Sequence, residues 1–132
     1  MNKVKVSILL PVYEQEELVV RAMKSIPDRD DIEVIIIDDC SRDNTYDIVC
    51  SYAKDHENFH VYRNEKNMRV ALTLCRAIEY AKGEYITQLD SDDYYFTEAF
   101  NRVIDQADAD LVWFDMQVNN GTIWSPKYRK EI

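Results

Sequence analysis

Three carboxylates fall within four residues at Asp90-Ser91-Asp92-Asp93, directly after the apolar-rich run Tyr85 to Leu89. Acids this close repel one another unless something positive sits among them. A hard divalent cation such as Mg²⁺ or Mn²⁺, held through oxygen ligands and shared with a phosphate, is the usual solution. Asp90 and Asp92 can both turn toward one ion where the backbone between them bends. Taken alone, a D-x-D tripeptide is more often a solvated acidic turn than a metal site. Two other stretches shift that balance. Asp38-Asp39 follows the apolar run Ile32 to Ile37, and Pro11-Val12-Tyr13-Glu14 comes at the end of Val4 to Val12.

Each of these stretches needs an element to hold it. Val4 to Val12 reads as a first strand that Pro11 brings to its end. From Gln15 the period changes, and Leu18, Val19, Ala22, Met23 and Ile26 share a helical face. Ile32 to Ile37 is a near-continuous apolar strand, the kind buried on both faces of a parallel sheet. A second helix runs to about His56 with Tyr46, Val49, Tyr52 and Ala53 inward, and Asp43 is a natural cap for it. Phe59 to Tyr62 is a short strand. Asn67 is the expected cap of a third helix whose inner stripe is Ala71, Leu74, Ile78 and Ala81, with Gly83 past its end at positive φ. A buried strand over Glu84 to Leu89 then delivers the acids. Thr97 caps a fourth helix, burying Phe100, Val103, Ile104 and Ala107, and Leu111 to Val118 is a fifth strand. Asn119-Asn120-Gly121 is a hairpin signal, with Thr122 to Trp124 returning.

The order is βαβαβαβαβ in one domain over 1–132, an α/β fold with a mostly parallel sheet and helices on both faces. Ligands of such sheets bind beyond the carboxyl ends of the strands, which is where the unusual chemistry lies.

Composition narrows the class. A chain of 132 residues with 46% apolar and 31% charged residues is a globular domain with a core. Its net charge of −9 leaves no basic stripe for a nucleic-acid backbone. Binding a phosphorylated ligand would then need a metal or helix N-termini. Cys40, Cys50 and Cys75 are odd in number without ligand spacing, and read as reduced thiols filling the core of a cytoplasmic protein. No run is long enough for a transmembrane segment, and the start lacks the features of a signal peptide.

Ser7-Ile8-Leu9-Leu10-Pro11-Val12-Tyr13, Ile35-Ile36-Ile37-Asp38-Asp39-Cys40-Ser41-Arg42-Asp43-Asn44-Thr45 and Ala81-Lys82-Gly83-Glu84-Tyr85-Ile86-Thr87-Gln88-Leu89-Asp90-Ser91-Asp92-Asp93 appear in that order. Together they resemble the landmarks of the family 2 glycosyltransferases, inverting nucleotide-sugar transferases of GT-A fold. The similarity covers nearly the whole chain. It implies that Pro11, Val12 and Tyr13 wrap the base and ribose, although Tyr13 is as readily a core residue. It implies that Asp38 or Asp39 accepts from a uracil-type N–H, and that Asp90, with Ser91 beside it, lies near the ribose while Asp92 ligates Mn²⁺ or Mg²⁺. The implied donor is a nucleotide sugar, a UDP-sugar first, and the implied acceptor a carbohydrate or a lipid-linked glycan in polysaccharide or glycoconjugate synthesis.

Departures from the pattern are informative. Glu14, which the resemblance places with the first turn at the nucleotide, stands where the family has Asn or Asp, and Arg69 and Cys75 stand where it often has Gly and Asn. Arg69 is placed to meet a diphosphate or the base, but an exposed Arg at a helix start is more often just solvated. The family draws its acceptor site and general base from a later part of the domain, so the expected chain is a nucleotide-binding part truncated on its C-terminal side, its base lying outside it. Two alternatives follow. One is a nucleotide-sugar-binding module without turnover. The other is a receiver-like phosphoacceptor domain, which would want its aspartate pair after the first strand and a lysine after the fifth.

Overall fold

A computed structural model describes residues 3–112 and 114–124. Four strands form one parallel sheet in the order β3-β2-β1-β4: β1 (Val6–Val12), β2 (Ile32–Asp38), β3 (Phe59–Arg63) and β4 (Tyr85–Gln88). The central pair β1 and β2 is mostly apolar and rich in β-branched residues because both faces are covered.

The two faces are unequal. On one, α1 (Val19–Lys24), α2 (Thr45–Ala53) and α4 (Thr97–Gln106) join Ile8, Leu10, Val12, Val34 and Ile36 in the larger core through Val19, Met23, Val49, Phe100 and Ile104. On the other, α3 (Arg69–Tyr80) is the one helix among the described residues that covers Leu9, Ile35 and Ile37. Tyr80 of α3 stacks on Tyr62 of β3 with ring centroids 3.9 Å apart, which draws the helix toward that side of the sheet. As a result its buried residues are Thr73 and Ala77, with Leu74, Tyr80 and Ala81 packed beside them. The stripe expected from periodicity was rotated too far, since Ala71 and Ile78 are exposed.

Several other expectations need correction. β1 ends at Val12 as expected, with Pro11 inside it opposite Ile37, but it starts at Val6 and not at Val4. Residues 15–18 make turns, so α1 starts at Val19 and not at Gln15. Among the described residues β4 is an edge strand with alternating burial, and Ile86 is 51% exposed. Gly83 does not have positive φ. A Cβ there would lie 2.6 Å from the backbone nitrogen of Ser7, so close approach is what requires glycine. Thr97 is the first residue of α4, and its hydroxyl donates to the Ser25 carbonyl. The three cysteines are free, but half-buried or exposed, so none is a core filler.

The fifth strand does not join the sheet. β5 (Met116–Gln117) pairs antiparallel with β6 (Ile123–Trp124) across a turn in which Gly121 has φ +84°. Among the described residues β5 and β6 pair only with each other, and Leu111, Phe114, Met116 and Val118 are exposed. Residues 125–132, including Glu131, lie outside the described residues.

Candidate functional site

The carboxyl ends of β2, β1 and β4 are neighbours in the sheet, and together with the start of α3 they surround a cavity of about 300 Å³. From β1 come Pro11 and Val12, followed by Tyr13. The segment after β2 contributes Asp39, α3 contributes Val70 and Thr73, and the loop after β4 contributes Asp90, Ser91 and Asp92. Sequence reading placed all but Val70 and Thr73 here. Those two lacked a signal because α3 was expected to turn a different stripe inward.

Of the neighbouring aspartates, only Asp39 faces the cavity, because successive residues of a strand point to opposite faces. Asp39 is 5% exposed and well bonded. One oxygen accepts from Asn64 Nδ2 at 2.8 Å and the Met68 amide at 2.7 Å; the other accepts from the Arg69 amide at 2.8 Å. It thus caps α3, a task expected of Asn67, which accepts from the Arg69 amide at a longer 3.1 Å. Asn64 also donates to Thr73 Oγ1 and accepts from Arg76, so a buried network fixes the Asp39 side chain on the cavity wall.

Asp38 points the other way and is fully buried. Its Oδ2 accepts from the Ser41 amide and pairs with Arg63 at 3.3 Å, and its Oδ1 has no partner among the described residues. Its bonds support the loop into α2, and it is not among the residues that line the cavity. Asp43 accepts from the Thr45 amide at the start of α2, as a cap residue does.

Two other expected residues also miss the cavity. Glu14 pairs with Arg42 at 2.6 Å, and that guanidinium holds its carboxyl below the usual range. This pair, with the Glu14 amide on Ser41 Oγ and the Gln15 amide on Thr45 Oγ1, fastens the first loop to the second. The Arg69 side chain is exposed and outside the lining; its contribution is the amide that bonds Asp39.

Beyond β4, ligand atoms of Asp90, Asp92 and Asp93 all lie within 4.8 Å of one another. Such a set of hard carboxylate oxygens, with no thiol or imidazole among them, fits Mg²⁺ or Mn²⁺. Asp93 is exposed, yet desolvation by its surroundings pushes its carboxyl above its usual range, and the charges of Asp92 and Asp90 push it further. The Asp93 amide bonds the Asp90 carbonyl, and Gln88 Nε2 donates to Asp90 Oδ1 at 2.6 Å. Arg21, 71 residues away in sequence, donates to the Asp92 carbonyl at 2.7 Å and lies over the Tyr94 ring. No sequence signal connected α1 to this loop.

A model of glycosyl transferase family 2 matches residues 7–131. The chain is similar to the poly(ribitol-phosphate) beta-glucosyltransferase of Bacillus spizizenii, at 39% identity over 74% of this chain and 16% of the relative. It is equally similar, at 39%, to the putative teichuronic acid biosynthesis glycosyltransferase TuaG of Bacillus subtilis, over 67% of this chain and 36% of that protein. It therefore spans well under half the length of either. Among solved structures, residues 1–349 of S. aureus TarS in complex with UDP-GlcNAc align with TM-score 0.69 and 30% identity, over 75% of this chain and 30% of that one. The mannosyltransferase PcManGT from Pyrobaculum calidifontis in complex with GDP-Man and Mn²⁺ aligns with TM-score 0.70 and 25% identity, over 81% of this chain and 33% of that one.

Proposed function

The chain belongs to glycosyl transferase family 2 and has the GT-A fold of its structural neighbours, and from that premise we propose that it binds a nucleoside-diphosphate sugar with a divalent cation for inverting glycosyl transfer. The observation that carries the reading is the meeting of Pro11–Tyr13, Asp39 and Asp90–Asp92 around one cavity. Pro11, Val12 and Tyr13 form the side against which a base and ribose pack. Asp39 offers its less-used oxygen to an N–H of the base, and a UDP-sugar is the first candidate, given the UDP-sugar complex of a relative. Asp90 and Ser91 reach the ribose. Asp92 and Asp90, with Asp93 converging on them, hold the cation. Mn²⁺ or Mg²⁺ there supplies charge neutralisation to the nucleoside-diphosphate leaving group.

Inversion also needs a base on the face opposite the leaving group. Among the described residues, the carboxylates that line the cavity are Asp39, Asp90 and Asp92, each already given to nucleotide or cation. That observation favours a second reading, in which this stretch of chain binds donor without transferring it. The acceptor is a carbohydrate or a lipid-linked glycan, a reading supported by the poly(ribitol-phosphate) and teichuronic acid in the relatives' names, and the site of action is cytoplasmic. Among the described residues no helix is long and apolar enough to cross a membrane.

Calorimetry with UDP, GDP and UDP-sugars, with and without Mn²⁺, tests the reading. Expected is nucleotide binding that Mn²⁺ tightens, with Asp92→Asn losing only the metal-dependent part. Failure of every nucleoside diphosphate to bind, or parent-like metal dependence in Asp92→Asn, overturns it. Mass analysis of long incubations with candidate acceptors separates transfer from binding alone.

A further inference from the structure

We infer that Arg21 of α1 is a positioning residue for the carboxylates of the loop after β4, holding that loop in the form in which Asp90, Asp92 and Asp93 converge on a cation. The inference rests on the metal reading above, and it concerns a residue outside the cavity lining.

α1 is a firm base for such a clamp, because Val19, Ala22 and Met23 bury its inner side completely. From the opposite side, Arg21 crosses to the loop and grips it at two points. Nη2 donates to the Asp92 carbonyl at 2.7 Å, and the guanidinium carbon sits 4.7 Å from the centre of the Tyr94 ring. These contacts fall on either side of Asp93, so the stretch between them is held at both ends. A planar guanidinium can hydrogen-bond at its edge while its face lies on a ring, a combination an ammonium group does not match. The loop needs an external hold. Three carboxylates with ligand atoms within 4.8 Å of one another push apart, and the loop's own ties are the Asp93 amide to the Asp90 carbonyl and Gln88 to Asp90. Tyr95 helps from below: its ring stacks on Phe100 at 3.8 Å and its amide bonds Ser25 Oγ, so the chain leaving the loop is anchored in the core.

Two effects of Arg21 on a cation oppose each other, which makes the assignment decidable. As a nearby positive charge it repels a divalent ion, so its removal would tighten metal binding by electrostatics alone. As a clamp it pre-forms the ligand set, so its removal weakens binding. Outer residues that orient metal ligands typically change affinity about 10- to 100-fold when replaced.

The experiment is an electron paramagnetic resonance titration of the full chain with Mn²⁺, with and without UDP. Arg21→Gln is expected to bind Mn²⁺ about tenfold more weakly, with an unchanged melting midpoint and unchanged metal-free UDP affinity. Arg21→Lys recovers part of the loss. Unchanged or tighter Mn²⁺ binding by Arg21→Gln overturns the inference. Should Arg21→Gln melt early, Tyr94→Leu decides: about threefold weaker Mn²⁺ binding is expected from losing the stacking half of the clamp, and parent-like affinity overturns the assignment. A parent chain that binds no Mn²⁺ even with UDP sinks the metal reading itself, a result distinct from a variant that equals its parent.

Discussion

At the amino ends of the strands, Glu33 accepts from the Ser7 hydroxyl at 2.6 Å and the Lys82 amide at 2.7 Å, and the Gly83 amide bonds Ser7 in turn. Nearby, Arg29 forms two bonds with Asp31 and a third with Asp105. At the carboxyl ends the picture reverses. Glu14, Cys40 and Arg69 all hold left-handed φ without being glycine, one buried oxygen of Asp38 lacks a partner among the described residues, and three carboxylates crowd together. A left-handed residue with a Cβ costs roughly 1–2 kcal/mol. Such costs gather at the edge that bears the cavity, while the opposite edge carries the bonds just described. The contrast teaches that this sheet is built for stability at one end and keeps unspent interactions at the other.

The largest effect should come from disturbing the tied end. Gly83→Ala would place a methyl carbon 2.6 Å from the Ser7 nitrogen and 2.9 Å from the Tyr85 carbonyl, both backbone atoms that must move apart. Loss of about 3 kcal/mol in urea unfolding is expected, the upper end for overpacking, with nucleotide affinity per folded molecule unchanged. A loss under about 1 kcal/mol would mean that the amino ends are not closely fitted after all.

Relieving strain at the other end should act in the opposite direction. Arg69 has φ +65°, and its bonds to Asp39 and Asn67 use only its amide. Arg69→Gly is therefore expected to stabilise the chain by about 1 kcal/mol without weakening metal-free nucleotide binding. A matching fall in nucleotide affinity would show that the side chain takes part, as first expected of it.

The smallest effect is electrostatic, and it sharpens the contrast by its sign. Hydrogen bonding to Arg29 holds the Asp31 carboxyl below its usual range. That contribution to stability is present above the ordinary carboxyl range and is lost as pH falls through the lowered value. Asp93 is shifted up by desolvation and by Asp92 and Asp90, so its contribution favours the fold at low pH and is lost as pH rises through the raised value. Asp93→Asn should then stabilise the metal-free chain near neutral pH by about half a kcal/mol at most, and the gain should vanish in acid and reverse when Mn²⁺ is added. Arg29→Gln should flatten the acid limb of the parent profile. Melting curves from about pH 3 to pH 8, the range spanning these carboxyls, test both; a neutral-pH loss in metal-free Asp93→Asn would contradict the crowding of the three acids.

Much of this was legible in local sequence. Near-continuous apolar runs such as Ile32 to Ile37 define buried parallel strands, because a strand covered on both faces has no polar side to show. Acids directly after such runs mark strand ends, since a buried strand excludes unpaired charge. That logic located the parallel sheet, its flanking helices, and most of the residues around the cavity. The decisions that escaped it depend on partners far along the chain. Whether Asp38 or Asp39 faces the cavity follows from where β2 ends in register with β1, and which stripe of α3 turns inward follows from Tyr80 finding Tyr62. The need for glycine at position 83 is set by Ser7 on a neighbouring strand, and the clamp of Arg21 on the acidic loop exists only because β1 and β4 are adjacent. Composition and periodicity determine which segments bury themselves; which side chains then meet is decided by packing, because a contact across the sheet leaves no trace in the spacing of either segment alone.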